Sequence, residues 1–120
     1  MAEHNDLGKT GEEMALKHLR GLGYEILETN WRFGRDEVDI IARDKDTLVI
    51  VEVKTRATNW FGEPEFAVNK SKQRILVRAA EAYIMKNDIN GDTRFDIIAV
   101  IISPQGKSVH HIEDAFYPTL

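Results

Sequence analysis

The chain has 120 residues, a formal net charge of -4 and no cysteine. This length is enough for one compact domain with a hydrophobic core, so we expect a single domain over residues 1–120. The lack of cysteine excludes a disulfide framework and a thiolate zinc site. The acidic balance argues against a protein whose whole surface binds a polyanion, because phosphate contacts need lysine and arginine.

No segment of the sequence has the character of a membrane span or a secretory signal. The longest aliphatic run covers residues 97–102, which is too short to cross a bilayer. The N-terminus has no basic segment leading into an apolar stretch. We therefore expect no membrane partner, and the cytoplasm is the default compartment.

The first half of the sequence predicts one helix and three strands. Apolar residues at helical spacing indicate a helix over residues 7–22, which Gly21 and Gly23 end. Alternating and β-branched segments predict strands over residues 24–31, 37–43 and 47–55. Turn-forming residues at positions 34–36 and 44–46 separate these strands, so we expect an antiparallel meander.

The second half predicts a loop, a helix and two more strands. Residues 60–64 break the periodic pattern, and Asn69 or Ser71 can cap a second helix that runs to Met85. The last two strands are predicted over residues 95–102 and 108–112. The sequence therefore predicts an α/β fold, with a central mixed five-stranded sheet flanked by helices in the order α-β-β-β-α-β-β.

The third predicted strand carries two charges on a face that is otherwise apolar. Because side chains two positions apart share a face, Glu52 and Lys54 continue the face of Leu48 and Ile50. An unpartnered charge on such a face is costly, so this pair needs a partner, water or a bound ion. The alternative is that both side chains emerge into water where the strand ends.

Asp39 lies between Val38 and Ile40 inside the second predicted strand, where aspartate has poor strand propensity and is costly to desolvate. The turn at residues 44–46 brings Asp39 opposite the region of Glu52. Carboxylates are the ligands that Mg²⁺ and Mn²⁺ prefer, so the two acids predict a divalent-cation site. The histidines offer no alternative site, and we interpret all of them as surface or satisfied residues: His4, His18, His110 and His111.

Several motifs occur together along nearly the whole chain: Gly8-x-x-Gly11-Glu12, EVDII at 37–41, VEVKTR at 51–56, Phe61-Gly62-x-Pro64, Ala67-Val68-x-x-x-Lys72 and Arg94-Phe95-Asp96. This combination resembles the uncharacterised bacterial YraN-like family. That family is similar to Holliday-junction resolvases within the restriction-endonuclease-like PD-(D/E)XK superfamily. The resemblance implies a restriction-endonuclease-like fold and a Mg²⁺- or Mn²⁺-dependent endonuclease that cuts DNA, with branched or distorted DNA favoured. Val38 replaces the proline for which the superfamily motif is named.

The resemblance also implies roles for individual residues. Asp39 and Glu52 become the metal ligands, with the Val53 carbonyl as a third oxygen, and Lys54 becomes the catalytic lysine. Glu12 would lie beside the metal or hold a water or second cation. For Glu12 the alternative is a favourable position near the N-terminus of the first helix, where acids complement the helix dipole.

The candidate nucleic-acid contacts are basic residues of two kinds. Arg35 and Arg56 lie near the site in sequence, and Lys70, Lys72 and Arg74 belong to a basic stretch that contains no acid. For the aromatic residues Trp31, Trp60 and Phe61, packing is favoured over base stacking. Two other functions stay open at this point. One is a catalytically inactive nucleic-acid-binding or adaptor module with a nuclease-like fold, and the other is a protein-interaction domain that uses the loop around Trp60. The sequence also leaves open a homodimer.

Overall fold

The computed structural model describes residues 2–57 and 68–118, with side chains from Asp6 onward. Its elements in chain order are α1 (Ala2–Gly21), β1 (Glu25–Phe33), β2 (Asp36–Asp44), β3 (Thr47–Ala57), α2 (Lys70–Asn87), β4 (Thr93–Ser103) and β5 (Gly106–Phe116). This is the predicted order of elements. The predicted loop at residues 60–64 and the Ala67 position of the motif lie outside the described residues. Neither described helix is long and apolar enough to cross a membrane.

The five strands form one mixed sheet in the order β1-β2-β3-β4-β5. The first three strands pair antiparallel, β3 pairs parallel with β4, and β4 pairs antiparallel with β5. A parallel pair needs a crossover connection, and the segment containing α2 provides it. The prediction of an α/β fold with a mixed five-stranded sheet and two helices is therefore confirmed. Throughout, the term upper edge means the end of the sheet at which β3 ends and β2 and α2 begin, and not an outer strand.

Each face of the sheet buries its own hydrophobic cluster. Alternation along β3 sends Leu48 and Ile50 to the face covered by α2, and Val49 and Val51 to the face that packs with α1. On the α1 side, Leu19 is fully buried, which is worth about 2 kcal/mol on burial of apolar area alone. With both faces of β3 covered, a charge on this strand is tolerated only toward its end.

The last strand is longer than predicted. β5 runs to Phe116, because the pairing with β4 resumes beyond an irregularity and joins Phe95 to Phe116. Asp114 adopts a left-handed backbone conformation with φ of 56° within this irregular stretch. A bulge of this kind adds a residue to one strand without ending the pairing, which a periodicity of two cannot anticipate.

Gly11 allows α1 to approach β3 closely, since a Cβ at this position would overlap the side chain of Thr55. We expect Gly11→Ala to displace the helix and lower the free energy of unfolding by about 1–3 kcal/mol. Gly8→Ala is the matched control, because no atom lies within 4 Å of a Cβ placed there. It should raise the free energy of unfolding by up to about 1 kcal/mol through helix propensity. Urea unfolding measures both changes, and two changes of the same sign would contradict this packing.

Candidate metal centre

The hydrogen-bonded ladder between β2 and β3 ends where Asp39 and Glu52 face each other. Its last pair is Ile40 with Val51, and the same register places Asp39 opposite Glu52. The Asp39 carboxylate accepts the backbone N–H of Val53 at 2.8 Å in place of a further ladder bond. Because the N–H and C=O of one strand residue point toward the same neighbour, the Val53 carbonyl also faces β2. The carboxylate of Asp39 is thereby held against β3 near the upper edge.

The two acids are close enough to change each other's ionisation. Burial, followed by the charge of Glu52, raises the pKa of Asp39 from 3.8 to about 7. Burial also raises the pKa of Glu52. Two ionised carboxylates only accept hydrogen bonds, so they cannot bond to each other unless one of them holds a proton. The pair therefore favours nearby positive charge, which a proton, a lysine or a bound cation can supply.

Two lysines stand on the same side of the sheet as Glu52. Lys72, in the first turns of α2, places its Nζ 3.8 Å from Glu52 Oε2. Lys54 follows Glu52 by two residues on β3 and so shares its face. The charges of Lys72 and Lys54 both act to lower the pKa of Glu52, although burial outweighs them. The half-buried Lys72 therefore points inward, toward Glu52.

Glu12 approaches the same acids from α1. Its Oε1 accepts a hydrogen bond from Asn30 Nδ2 at 3.0 Å, and its negative charge contributes to the raised pKa of Asp39. The interpretation of Glu12 as a residue near the helix N-terminus is wrong, because α1 begins at Ala2 and not at residue 7. Glu12 therefore lies mid-helix, close enough to Asp39 for its charge to act on that carboxyl group.

The carboxylate oxygens of Asp39 and Glu52 fit a hard divalent cation that takes few of its ligands from the protein. Among the described residues, no group of three or more His, Cys, Asp or Glu side chains could hold a metal ion. Mg²⁺, however, takes one or two carboxylates and completes its shell with water and substrate phosphate. Glu52 Oε1 is buried and has no hydrogen-bond partner within the described part of the chain. A buried carboxylate oxygen of this kind is costly unless it meets a cation or a proton.

The candidate nucleic-acid contacts lie at the upper edge together with these acids. Arg35 lies in the turn before β2, Arg56 near the end of β3, and Lys70 and Arg74 on the first turns of α2. These four residues are exposed, whereas Lys72 is turned toward Glu52. The fold thus brings basic residues from three separate segments to one edge of the sheet.

Comparison with known proteins gives the family. Residues 11–100 match the sequence model of the uncharacterised protein family UPF0102. The chain belongs to the UPF0102 family. It is 50% identical to a UPF0102 protein of Flavobacterium psychrophilum over 98% of each chain. It is 49% identical to one from Bacteroides thetaiotaomicron, over 100% of this chain and 99% of that protein. It is 47% identical to one from Porphyromonas gingivalis, over 97% of this chain and 87% of that protein.

The UPF0102 match confirms the resemblance to an uncharacterised bacterial family. The matched range contains Glu12, Asp39, Glu52, Lys54 and Lys72. The family description names no activity.

In the UPF0102 chain, Trp31 is a packing residue, as predicted. Its ring meets Tyr83 of α2 edge-to-face with centroids 5.2 Å apart, and it stacks on Phe33 at 6.2 Å. These contacts pack the edge strand β1 against α2. Trp60 and Phe61 lie outside the described residues.

A second buried polar cluster on the α1 side of the UPF0102 sheet was not predicted. Asp96 is 1% exposed and is the only charged residue among the buried residues that the structure describes. Its donors are the Arg94 guanidinium, the His111 ring and the backbone N–H of Asp114. His111 also contacts His18 at 3.1 Å, which confirms the interpretation of these two histidines as satisfied. The available signal was an aspartate between Phe95 and Ile97, the same kind of signal that singled out Asp39.

Asp39 gives the UPF0102 chain an unusual pH dependence. Between pH 3.8 and about 7 the folded chain keeps a proton that the unfolded chain has lost. Stability from this group is therefore present below about pH 4 and is lost as the pH rises to about 7. We expect Asp39→Asn to melt at a higher temperature than wild type in EDTA, by a margin that grows over this range and then levels off. Thermal unfolding followed by circular dichroism measures the margin, and a constant margin would contradict the assignment.

Proposed function

We propose that this protein is a divalent-cation-dependent endonuclease that hydrolyses phosphodiester bonds in DNA. The observation that carries the proposal is the convergence of Asp39 and Glu52 on one side of the sheet, with Lys54 on the same face. Three features support a cation there: the raised pKa of both acids, the buried Glu52 Oε1 and the Val53 carbonyl on the side of β3 that faces β2. Asp39, Glu52 and the Val53 carbonyl would hold the ion.

The residues around the acids have distinct tasks in this proposal. Mg²⁺ or Mn²⁺, when bound, supplies a Lewis acid that polarises the scissile phosphate and lowers the pKa of a coordinated water. Lys54 stands two residues beyond Glu52, where its ammonium offsets negative charge that develops on the phosphate. Glu12, which Asn30 orients, would hold a water or a second cation beside Asp39.

The element order and the motifs support a finer assignment of the fold. A meander of three antiparallel strands, a crossover helix and a parallel fourth strand agree with a restriction-endonuclease-like fold. The resemblance to Holliday-junction resolvases points to branched or distorted DNA as the substrate, and this step is an analogy between folds. The resolvase analogy also makes a homodimer the natural form to test.

The exposed basic residues at the upper edge are the proposed contacts to the DNA backbone. They are Arg35, Arg56, Lys70 and Arg74. Their concentration at one edge reconciles DNA binding with a net charge of -4, because only that edge needs to meet phosphate. A substitution that removes one phosphate-binding side chain should lower the slope of log affinity against log salt concentration by about one, because about one fewer counterion is released on binding.

Purified protein incubated with linear, flap, fork and four-way DNA in Mg²⁺ or Mn²⁺ tests the proposal. We expect cleavage of at least one branched substrate, no cleavage in EDTA, and an approximately hundredfold loss of rate in Lys54→Met. Lys45→Met, in the exposed turn between β2 and β3, is the matched control and should cut like wild type. DNA binding without cleavage in either ion would instead favour an inactive nucleic-acid-binding module.

A further inference from the structure

The ammonium group of Lys72 lies against the Glu52 carboxylate, which is a proposed ligand of the cation. The Lys72 Nζ lies 3.8 Å from Glu52 Oε2, with 35% of the Lys72 side chain and 14% of the Glu52 side chain exposed. The backbone of Lys72 is fixed, because its N–H donates to the side chain of the helix cap Asn69 at 2.8 Å. The Lys72 side chain therefore starts from a fixed backbone position, and part of it remains in contact with solvent.

A cation on Glu52 and the ammonium of Lys72 cannot both keep their best positions. Ligand oxygens lie about 2.0–2.1 Å from Mg²⁺, so an ion on either carboxylate oxygen of Glu52 would stand within about 8 Å of Nζ at its present place. At that separation the two like charges repel even with the screening of water. The lysine stem has several rotatable bonds and an open route to solvent, so Lys72 is the partner that moves.

We propose that Lys72 is a displaceable counter-ion. In the metal-free protein it neutralises Glu52, and on cation binding it leaves the carboxylate and faces the DNA phosphate at the mouth of the site. This inference rests on the proposed function, because it assumes that Glu52 is a cation ligand. Lys72 thereby sets the cation affinity of the site, a task separate from that of Lys54 on β3.

Mn²⁺ binding without nucleic acid tests the inference directly. We expect Lys72→Met to bind Mn²⁺ about tenfold more tightly than wild type at pH 8, measured by electron paramagnetic resonance of free Mn²⁺, because a competing charge is gone. Lys72→Arg keeps the charge and should not gain affinity. Lys86→Met, an exposed lysine in the last turn of α2 and far from Glu52 along the helix, is the matched control and should bind like wild type. Melting curves of all variants establish that each is folded.

The outcomes separate this inference from the proposed nuclease function. Equal or weaker Mn²⁺ binding by Lys72→Met overturns the counter-ion role, and so does an absence of Mn²⁺ binding in every variant. If wild type cleaves DNA and Lys72→Met binds Mn²⁺ as tightly as wild type, the counter-ion role of Lys72 is rejected and the nuclease function is supported. Tighter binding by Lys72→Met with no DNA cleavage in any variant supports the counter-ion and rejects the nuclease.

Discussion

Asp39→Asn is expected to lose divalent-cation-dependent DNA cleavage while it gains stability in the metal-free state. The asparagine oxygen can still accept the Val53 N–H, and the substitution removes a charge that burial and Glu52 both disfavour. Even indirect partners of a bound metal are worth about 10–100-fold in affinity or activity, so loss of a direct ligand should cost at least about a hundredfold in rate. Initial rates on a four-way junction in Mg²⁺ and Mn²⁺, with melting temperatures in EDTA, measure both effects.

The opposite directions of these two effects separate a functional acid from a structural one. Asp46→Asn, in the exposed turn that joins β2 to β3, is the control and should leave rate and melting temperature near those of wild type. If Asp39→Asn cut at the wild-type rate, Asp39 would have no part in the site. If it cut slowly and also melted at a lower temperature, a damaged fold would explain the loss of rate.

The meeting of Asp39 and Glu52 could be predicted because it depends on two local rules. Alternation assigns the faces of β3, and a short turn sets the register of the strands it joins. The turn is centred on Lys45, whose left-handed φ of 57° closes the hairpin. Once that turn is recognised, counting along both strands brings the two acids together, and no knowledge of the rest of the chain is needed.

The contact between Lys72 and Glu52 could be predicted only in part. Helical spacing puts Lys72 on the same stripe as Leu76 and Ala79, and this stripe turns inward. The identity of the strand beneath it depends on how the crossover helix lies across the sheet. That placement is decided by the packing of a whole hydrophobic face, which short-range periodicity does not contain. The ion pair therefore forms only in the assembled fold.

The cluster around Asp96 could not be predicted from the sequence. A charge in an aliphatic strand indicates a need for partners, but these partners come from elements distant in the sequence. Arg94 reaches Tyr24, 70 residues away, and His111 comes from the following strand. The Asp114 N–H reaches Asp96 because the irregular pairing in β5 turns it inward, and this same irregularity lengthens that strand. The Asp114 contact to Asp96 and the extra length of β5 thus depend on the same irregular pairing, which the sequence did not reveal.

Asp96→Asn is expected to destabilise the fold by about 3–5 kcal/mol, the usual cost of breaking a buried charge pair. Oδ1 accepts from Arg94 Nε and the Asp114 N–H, and Oδ2 accepts from Arg94 Nη2 and His111 Nε2. All four groups are donors, so the NH₂ group of asparagine meets a donor in either orientation. The substitution also leaves the Arg94 charge without its closest carboxylate. Urea unfolding followed by circular dichroism measures the loss.

Asp92→Asn supplies the comparison, because Asp92 is exposed directly before β4 and should change stability by less than about 0.5 kcal/mol. Asp96 lies on the α1 side of the sheet, whereas Glu52 pairs with Lys72 on the α2 side. Mn²⁺ affinity of Asp96→Asn at a temperature where it is folded should therefore match wild type. A folded Asp96→Asn with normal stability would show that Arg94 and His111 find other partners, and a selective loss of Mn²⁺ affinity would mean that the two sides of the sheet are coupled.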